Sequence, residues 1–397
     1  MGSDASHTYT ALHTSAIIGS PVSFELLISR MDNNTSIWSR FDFVLFGAVG
    51  VLIVFGLLMI RSATMGAIDP ELISRLPDQI LYAAIGTVVM LLLTALDYRL
   101  LGGLHMWLYL VMVGLLVLVK VLGVEGEAGA QRWINVGIRI QPSEIGKILI
   151  IITLGVYLAR NYQDMDKLST VFGSMLHLAI PAGLVFIQPN LGTTIVFGVI
   201  WATMVWGAGL RLKHIGLFGA AMLVALPILW TVMEPYQRSR ITTFIAPDAT
   251  DRDTFYNIEQ SQISIGSGGV FGKGYASGTQ NQLRFLRVRH TDFIFSVIAE
   301  EFGLVGGVSV MVLLGIVIFR ILRGARLAAD PLGSLICYGI ASIIFFQTFV
   351  SIGMNLRMLP VTGLVLPFIS SGGTSLLSMM AGIGLAQSVI VRRRRIA

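Results

Sequence analysis

Apolar runs of about twenty residues recur along this chain, and that pattern leaves few folds open, because a helix needs roughly 20 residues to cross the hydrocarbon core of a bilayer. The runs lie near 41–60, 79–96, 104–123, 144–160, 171–188, 190–208, 213–233, 292–320, 332–353 and 368–391. Unpaired backbone groups are costly in lipid, so helices rather than open strands must fill them. The expected fold is an all-α polytopic membrane protein of about ten transmembrane helices. Composition agrees: 54% of the 397 residues are hydrophobic and only 13% charged, against about 25% charged in a soluble domain.

Residues 1–40 are polar and mixed and lack the basic start and cleavage site of a signal peptide. They read as a flexible cytoplasmic tail, 41–391 as the membrane domain and 392–397 as a basic cytoplasmic tail. With both termini inside, the cytoplasmic segments hold Arg30, Arg40, Arg99, Arg160, Lys167, Arg211, Lys213, Arg320, Arg323, Arg326 and the run from Arg392 to Arg395. That asymmetry follows the positive-inside rule. The net charge of +6 is then mainly an orientation signal, and the terminal Arg run meets anionic lipid rather than nucleic acid. The lone cysteine, Cys337, excludes an intrachain disulfide. No GxGxxG, Walker loop, HExxH or paired-Cys motif is present, so nucleotide hydrolysis and zinc chemistry lack support. His105, His177 and His214 are isolated, without ligand spacing.

One connection is long. Residues 234–291 form an extracytoplasmic loop rich in Gly, Ser, Asp and Arg, and loops of this length are functional or disordered. It contains Ile265-Gly266-Ser267-Gly268-Gly269-Val270-Phe271-Gly272-Lys273-Gly274, then Gly278-Thr279-Gln280-Asn281-Gln282-Leu283, and ends at His290-Thr291-Asp292-Phe293-Ile294-Phe295. Its glycines allow tight turns and bring N–H groups close to anionic oxygens, which suits a pyrophosphate. Asp292 stands where the chain re-enters the membrane, just after Arg287, Arg289 and His290. A carboxylate there serves either as a general base or as an N-cap of the next helix. Glu300 and Glu301 follow about two helical turns later, with one of them facing inward.

A second constellation reads Gly129-Ala130-Gln131-Arg132-Trp133-Ile134-Asn135, then Gln141-Pro142-Ser143-Glu144-Ile145-Gly146-Lys147. Pro142 suits a first helical position, which puts Glu144 and Lys147 on one face. Charges at this depth are paired or functional. Two readings stay open: an ion pair that fixes neighbouring helices, or one that lines a polar cavity.

Together with QPNLGTT and LPVTGLVLPFISSGGTSLL, these stretches occur in an order that resembles the SEDS family of peptidoglycan glycosyltransferases, from about Phe41 to the C-terminus. The GKG and GTQ-x-QL elements look RodA-like rather than FtsW-like. The resemblance implies polymerisation of lipid II into glycan strands in support of cell elongation and shape, at the outer face of a bacterial cytoplasmic membrane. The alternatives are an FtsW-like septal polymerase and a lipid II flippase, which would use Glu144, Lys147, Gln347 and Asn355 along its path. It further implies an essential acidic residue at Asp292 and a cavity ion pair of Glu144 and Lys147. Arg132, Lys273, Arg284 and Arg289 are candidates for binding pyrophosphate. The implied partners are lipid II, the undecaprenyl-pyrophosphate-linked glycan and a class B penicillin-binding transpeptidase. A divalent cation, Mg or Mn, is implied as cofactor, with no nucleotide. Three departures stand out: Asn190 where the family has Asp, Ser371 where it has Tyr, and Arg287-Val288-Arg289-His290 in place of Pro-Glu-x-His.

Overall fold

The computed structural model describes residues 37–125, 131–135, 139–211, 214, 216, 220, 224, 227, 230–245, 252–286 and 288–393. Most of the tail 1–40 and of the seventh predicted span (213–233) lies outside the described residues, as do Gly129, Ala130, Arg287, Arg394 and Arg395. Two compact units are distinguished, Met1–Arg40 and Phe41–Ala397. In the first, one 3-10 turn, Ile37–Arg40, is described.

The second unit is a helical bundle. Its long helices are α1 (Phe43–Thr64), α2 (Pro70–Ala95), α4 (His105–Leu122), α5 (Pro142–Arg160), α6 (Leu168–Ile187), α7 (Leu191–Gly207), α11 (Ile294–Leu327), α12 (Pro331–Asn355) and α13 (Gly373–Val391); a short α3 (Tyr98–Gly103) precedes α4. Among the described residues eight of them are long and apolar enough to span a membrane, and α7 is a shorter apolar helix. The predicted spans outside 213–233 therefore all coincide with helices. Start signals explain several boundaries: Asp42, Asp69 and Asp330 accept a hydrogen bond from the first turn of α1, α2 and α12, and Pro occupies that turn in α2, α5 and α12. Asn190 does the same for α7, its Oδ1 accepting from the Thr193 N–H at 3.2 Å, so the missing family charge is replaced by a neutral cap.

Burial divides the bundle into centre and periphery. The apolar windows of α5 and α13 are 78% and 89% buried, against 17% for α4, so α5, α12 and α13 form the middle and α4 faces lipid. Small residues permit close approach at the centre, as where Gly339 lies against Ile151 and Gly382 against Ile148 and Ile340. Between α4 and α5 a small antiparallel sheet, β1 (Val124–Glu125), β2 (Gln131–Asn135) and β3 (Arg139–Ile140), closes one end. Ile134 pairs with Ile140 and Asn135 with Arg139. The Arg139 carbonyl is held by Tyr82 Oη of α2 at 3.2 Å and Thr374 Oγ1 of α13 at 3.0 Å.

The long connection is built from helices rather than open loop: α8 (Pro235–Ile245), α9 (Arg252–Gly268) and α10 (Thr279–Gln282). Its polar composition conceals an apolar face. Ile258 of α9 joins Leu286, Phe293, Met354 and Val361 in a second buried cluster beside the membrane core, and Ile265 packs on the main core.

Helix α11 is the least regular. Its 34 residues would extend roughly 50 Å, longer than the ~30 Å hydrocarbon layer. The excess is resolved by a break at Gly303, whose φ of 65° and ψ of −159° are non-helical. Four backbone groups beside the break find partners in the glycine-rich segment 269–274. The Glu300 and Glu301 carbonyls accept from the N–H groups of Lys273 (3.0 Å) and Gly274 (2.9 Å), while Leu304 and Val305 donate to the carbonyls of Gly269 (2.9 Å) and Val270 (3.1 Å). A Cβ at Gly268, Gly272 or Gly303 would collide with the backbone across this junction. Gly303→Ala is expected to lower stability by about 1–3 kcal/mol, since that backbone region is essentially reserved for glycine. Thermal unfolding in detergent measures it, and an unchanged midpoint would show that the break is not fixed.

Candidate active site

Asp292 sits half-buried in the turn that leads into α11. Its main chain and its neighbours' are pinned from three directions. Asn355, at the end of α12, donates from Nδ2 to the Asp292 carbonyl (2.9 Å) and accepts at Oδ1 from the Ser296 N–H (3.1 Å). Ser370 Oγ donates to the Thr291 carbonyl at 2.9 Å. The Ser371 N–H donates to the His290 carbonyl at 2.9 Å. Gln79 of α2 ties in the same loop, donating to the Ser370 carbonyl and accepting from the Gly372 N–H. The cap residue of α11 is Phe293, without a side-chain cap bond.

The carboxylate points toward Gly363, on the loop between α12 and α13. A Cβ built on Gly363 would lie 4.0 Å from Asp292 Oδ2 and 3.3 Å from Arg240 Nη1 of α8, so both charged groups converge on this bare Cα. Gly363 has a φ of 72°, which glycine adopts without strain. Arg240 also donates from Nη1 to the Val361 carbonyl at 3.3 Å. No motif singles out Arg240; only the folding of the long connection brings it here.

His290 is buried beside Asp292. Burial pushes its imidazole down to about 4, with Arg75 and Arg289 adding to the effect, so it is neutral at pH 7. Burial also lowers Arg289 from its usual value, and its guanidinium is turned to backbone, donating to the carbonyls of Ala63 (2.5 Å) and Leu286 (3.1 Å). The other cations proposed for pyrophosphate are similarly engaged. Arg132 donates to the carbonyls of Gln188 (3.3 Å) and Pro189 (2.5 Å). Arg284 donates to the Gly66 carbonyl. Lys273 Nζ lies 2.8 Å from Glu300 Oε1 and donates to Thr279 Oγ1 at 2.8 Å.

Glu300 and Glu301 both face the GTQNQ segment. Glu300 accepts from the N–H groups of Gln280 (2.9 Å) and Asn281 (3.3 Å) besides Lys273. Glu301 accepts from the Ala276 N–H (3.1 Å), Asn281 Nδ2 (3.0 Å) and Ser62 Oγ of α1. These carboxylates hold the connection onto α11 and α1. The N–H groups of Lys273 and Gly274, which the glycine pattern offered to a pyrophosphate, are spent on carbonyls of α11.

Glu144 and Lys147 form a buried ion pair at 2.8 Å, i to i+3 on α5. Ser378 of α13 donates to Glu144 Oε2 at 3.3 Å. On α12, Gln347 is fully buried, and among the described residues neither its Oε1 nor its Nε2 meets a hydrogen-bond partner. Among the described residues no three His, Cys, Asp or Glu side chains come together as a metal site.

The FtsW/RodA/SpoVE profile, described as cell cycle protein, matches residues 41–395. The chain is 36% identical over 352 residues to the peptidoglycan glycosyltransferase MrdB of Escherichia coli strain K12, covering 87% of this chain and 94% of MrdB. It superposes with a TM-score of 0.75 and 30% identity on a chain of a peptidoglycan synthase complex that coordinates polymerization and crosslinking, covering 90% of this chain and 100% of the other. The crystal structure of the rod shape determining protein RodA of Thermus thermophilus matches with a TM-score of 0.66 and 30% identity, covering 90% and 99% of the two chains. Sequence and fold agree over nearly the whole membrane domain, and the chain belongs to the FtsW/RodA/SpoVE family.

Proposed function

We propose that this chain is a RodA-type peptidoglycan glycosyltransferase that polymerises lipid II at the outer face of a bacterial cytoplasmic membrane, with both termini inside. The observation that carries the reading is the pinned turn of Asp292, which presents one carboxylate at the membrane boundary beside a guanidinium. Asp292 takes the proton of the acceptor GlcNAc 4-hydroxyl. The freed oxygen attacks the anomeric carbon of the donor glycan, a C–O bond forms, and the bond to pyrophosphate breaks. Undecaprenyl pyrophosphate leaves with the electron pair, and the proton stays on Asp292 until solvent removes it. The stored energy of the pyrophosphate linkage drives the step, so no nucleotide is required. A Mg²⁺ or Mn²⁺ ion, when bound, would supply electrostatic stabilisation of the leaving group.

The proposed partner is a class B penicillin-binding transpeptidase, in line with the synthase complex that the fold matches. The test is polymerisation of lipid II by the purified chain, alone and with that partner, on substrate supplied from the outer side only. Glycan product is expected, lost with EDTA and restored by Mg²⁺ or Mn²⁺. Product that persists in EDTA would remove the cation from the proposal. One observation favours the transport reading, namely the buried amide of Gln347 on α12, which meets no hydrogen-bond partner among the described residues. Lipid II crossing vesicles of the purified chain, with no polymer made, would replace the polymerase with a flippase.

A further inference from the structure

We infer that Arg240 is the positioning residue for Asp292, its guanidinium holding the carboxylate ionised and aimed across the bare Cα of Gly363. The inference deepens the polymerase reading and rests on it. Three observations combine. The two side chains converge on one point, 3.3 Å and 4.0 Å from a Cβ that Gly363 does not have. Arg240 is itself located, since Nη1 donates to the Val361 carbonyl and Val361 belongs to the apolar cluster that contains Phe293, the residue after Asp292. The third is charge. His290 is neutral at pH 7, and Arg289 is turned to the carbonyls of Ala63 and Leu286.

Arg75 and Glu71 of α2 also lie close enough to act on His290, with opposite charges. Asn355 of α12 and Ser370 and Ser371 of the loop before α13 contact the turn through neutral groups. A cation beside a carboxylate favours its ionised form, and that is the form a general base requires. The guanidinium is planar and rigid, so it fixes direction as well as charge. Gly363 is the third part of the arrangement, because a side chain there would stand between the two groups.

The experiment measures lipid II polymerisation by full-length protein against pH for wild type, Arg240→Met and Arg240→Lys. Misplacing a reacting group by about an ångström costs on the order of 100-fold, so Arg240→Met is expected to slow the maximal rate about 10- to 100-fold. Without the cation the carboxylate protonates more readily, so the acid limb of the profile should move to higher pH. Arg240→Lys keeps the charge and loses the fork; it should restore part of the rate and most of the limb. Should Arg240→Met fail to fold, the lysine variant decides alone: a slowed rate with a wild-type limb supports the assignment, and a wild-type rate overturns it. Arg240→Met with the wild-type rate and limb, or with a slowed rate and an unmoved limb, also overturns it. Wild type that makes no polymer points instead to failure of the polymerase reading.

Discussion

Replacing Asp292 with Asn is expected to slow lipid II polymerisation by about 10²- to 10⁴-fold, the usual contribution of a general base. The amide has the size of the carboxylate and cannot accept the acceptor's proton. Little else should change. The carbonyls of His290, Thr291 and Asp292 accept hydrogen bonds that hold the turn and that the substitution keeps, and Phe293 is the residue at the cap of α11. Thermal midpoint and partner capture should therefore match wild type. A purified Asp292→Asn protein that polymerises at the wild-type rate would show that the carboxylate is structural and would remove the central step of the proposed mechanism.

Lys147→Ala is expected to have the second large effect, and on stability first. The ammonium is fully buried and 2.8 Å from Glu144, whose carboxylate otherwise accepts, among the described residues, from Ser378 Oγ. Leaving one member of such a pair unpaired typically costs about 3–5 kcal/mol. The double variant Glu144→Gln/Lys147→Met removes both charges together and should recover much of that loss. Its activity separates the two readings of the pair. Wild-type polymerisation in the double variant would make the pair a structural tie between α5 and α13, whereas lost polymerisation with recovered stability assigns it to the cavity. A Lys147→Ala protein as stable as wild type would contradict the burial argument itself.

The helices were legible because lipid imposes one simple rule, a run of apolar residues of a certain length. The glycine-rich segment was harder to read. Its pattern is compatible with any close approach of backbone to an acceptor, and a pyrophosphate oxygen and a helix carbonyl make the same demand on an N–H group. Only the break at Gly303 decides between them, and EEFGLVGG reads as a continuous helix because nothing in it is polar after Glu301. Helix α9 was hidden for a related reason, since its Ser, Gln and Asn residues outnumber the few apolar ones that make its buried face. The site was half legible. Asp292, Glu144 and Lys147 stand out as charges at membrane depth, a signal available without a fold. Arg240 gives no such signal, because it lies among several arginines of the long connection and only tertiary folding selects it. The candidate pyrophosphate cations illustrate the converse: proximity of Arg to Asp in sequence says nothing of where a guanidinium turns, and Arg289 is turned to Ala63 and Leu286.

The break in α11 also constrains how the protein is made. A helix interrupted at membrane depth exposes carbonyls and amides that hydrocarbon cannot satisfy, at several kcal/mol each. Here their partners are the backbone of residues 269–274, which precede the helix in the chain. During synthesis that segment is made before α11 is complete, so it is available to receive the broken turn. Insertion of this helix and docking of the segment before it are then a single event, and a chain whose connection is cut or replaced by a flexible linker should stall in biogenesis with α11 outside its final seat.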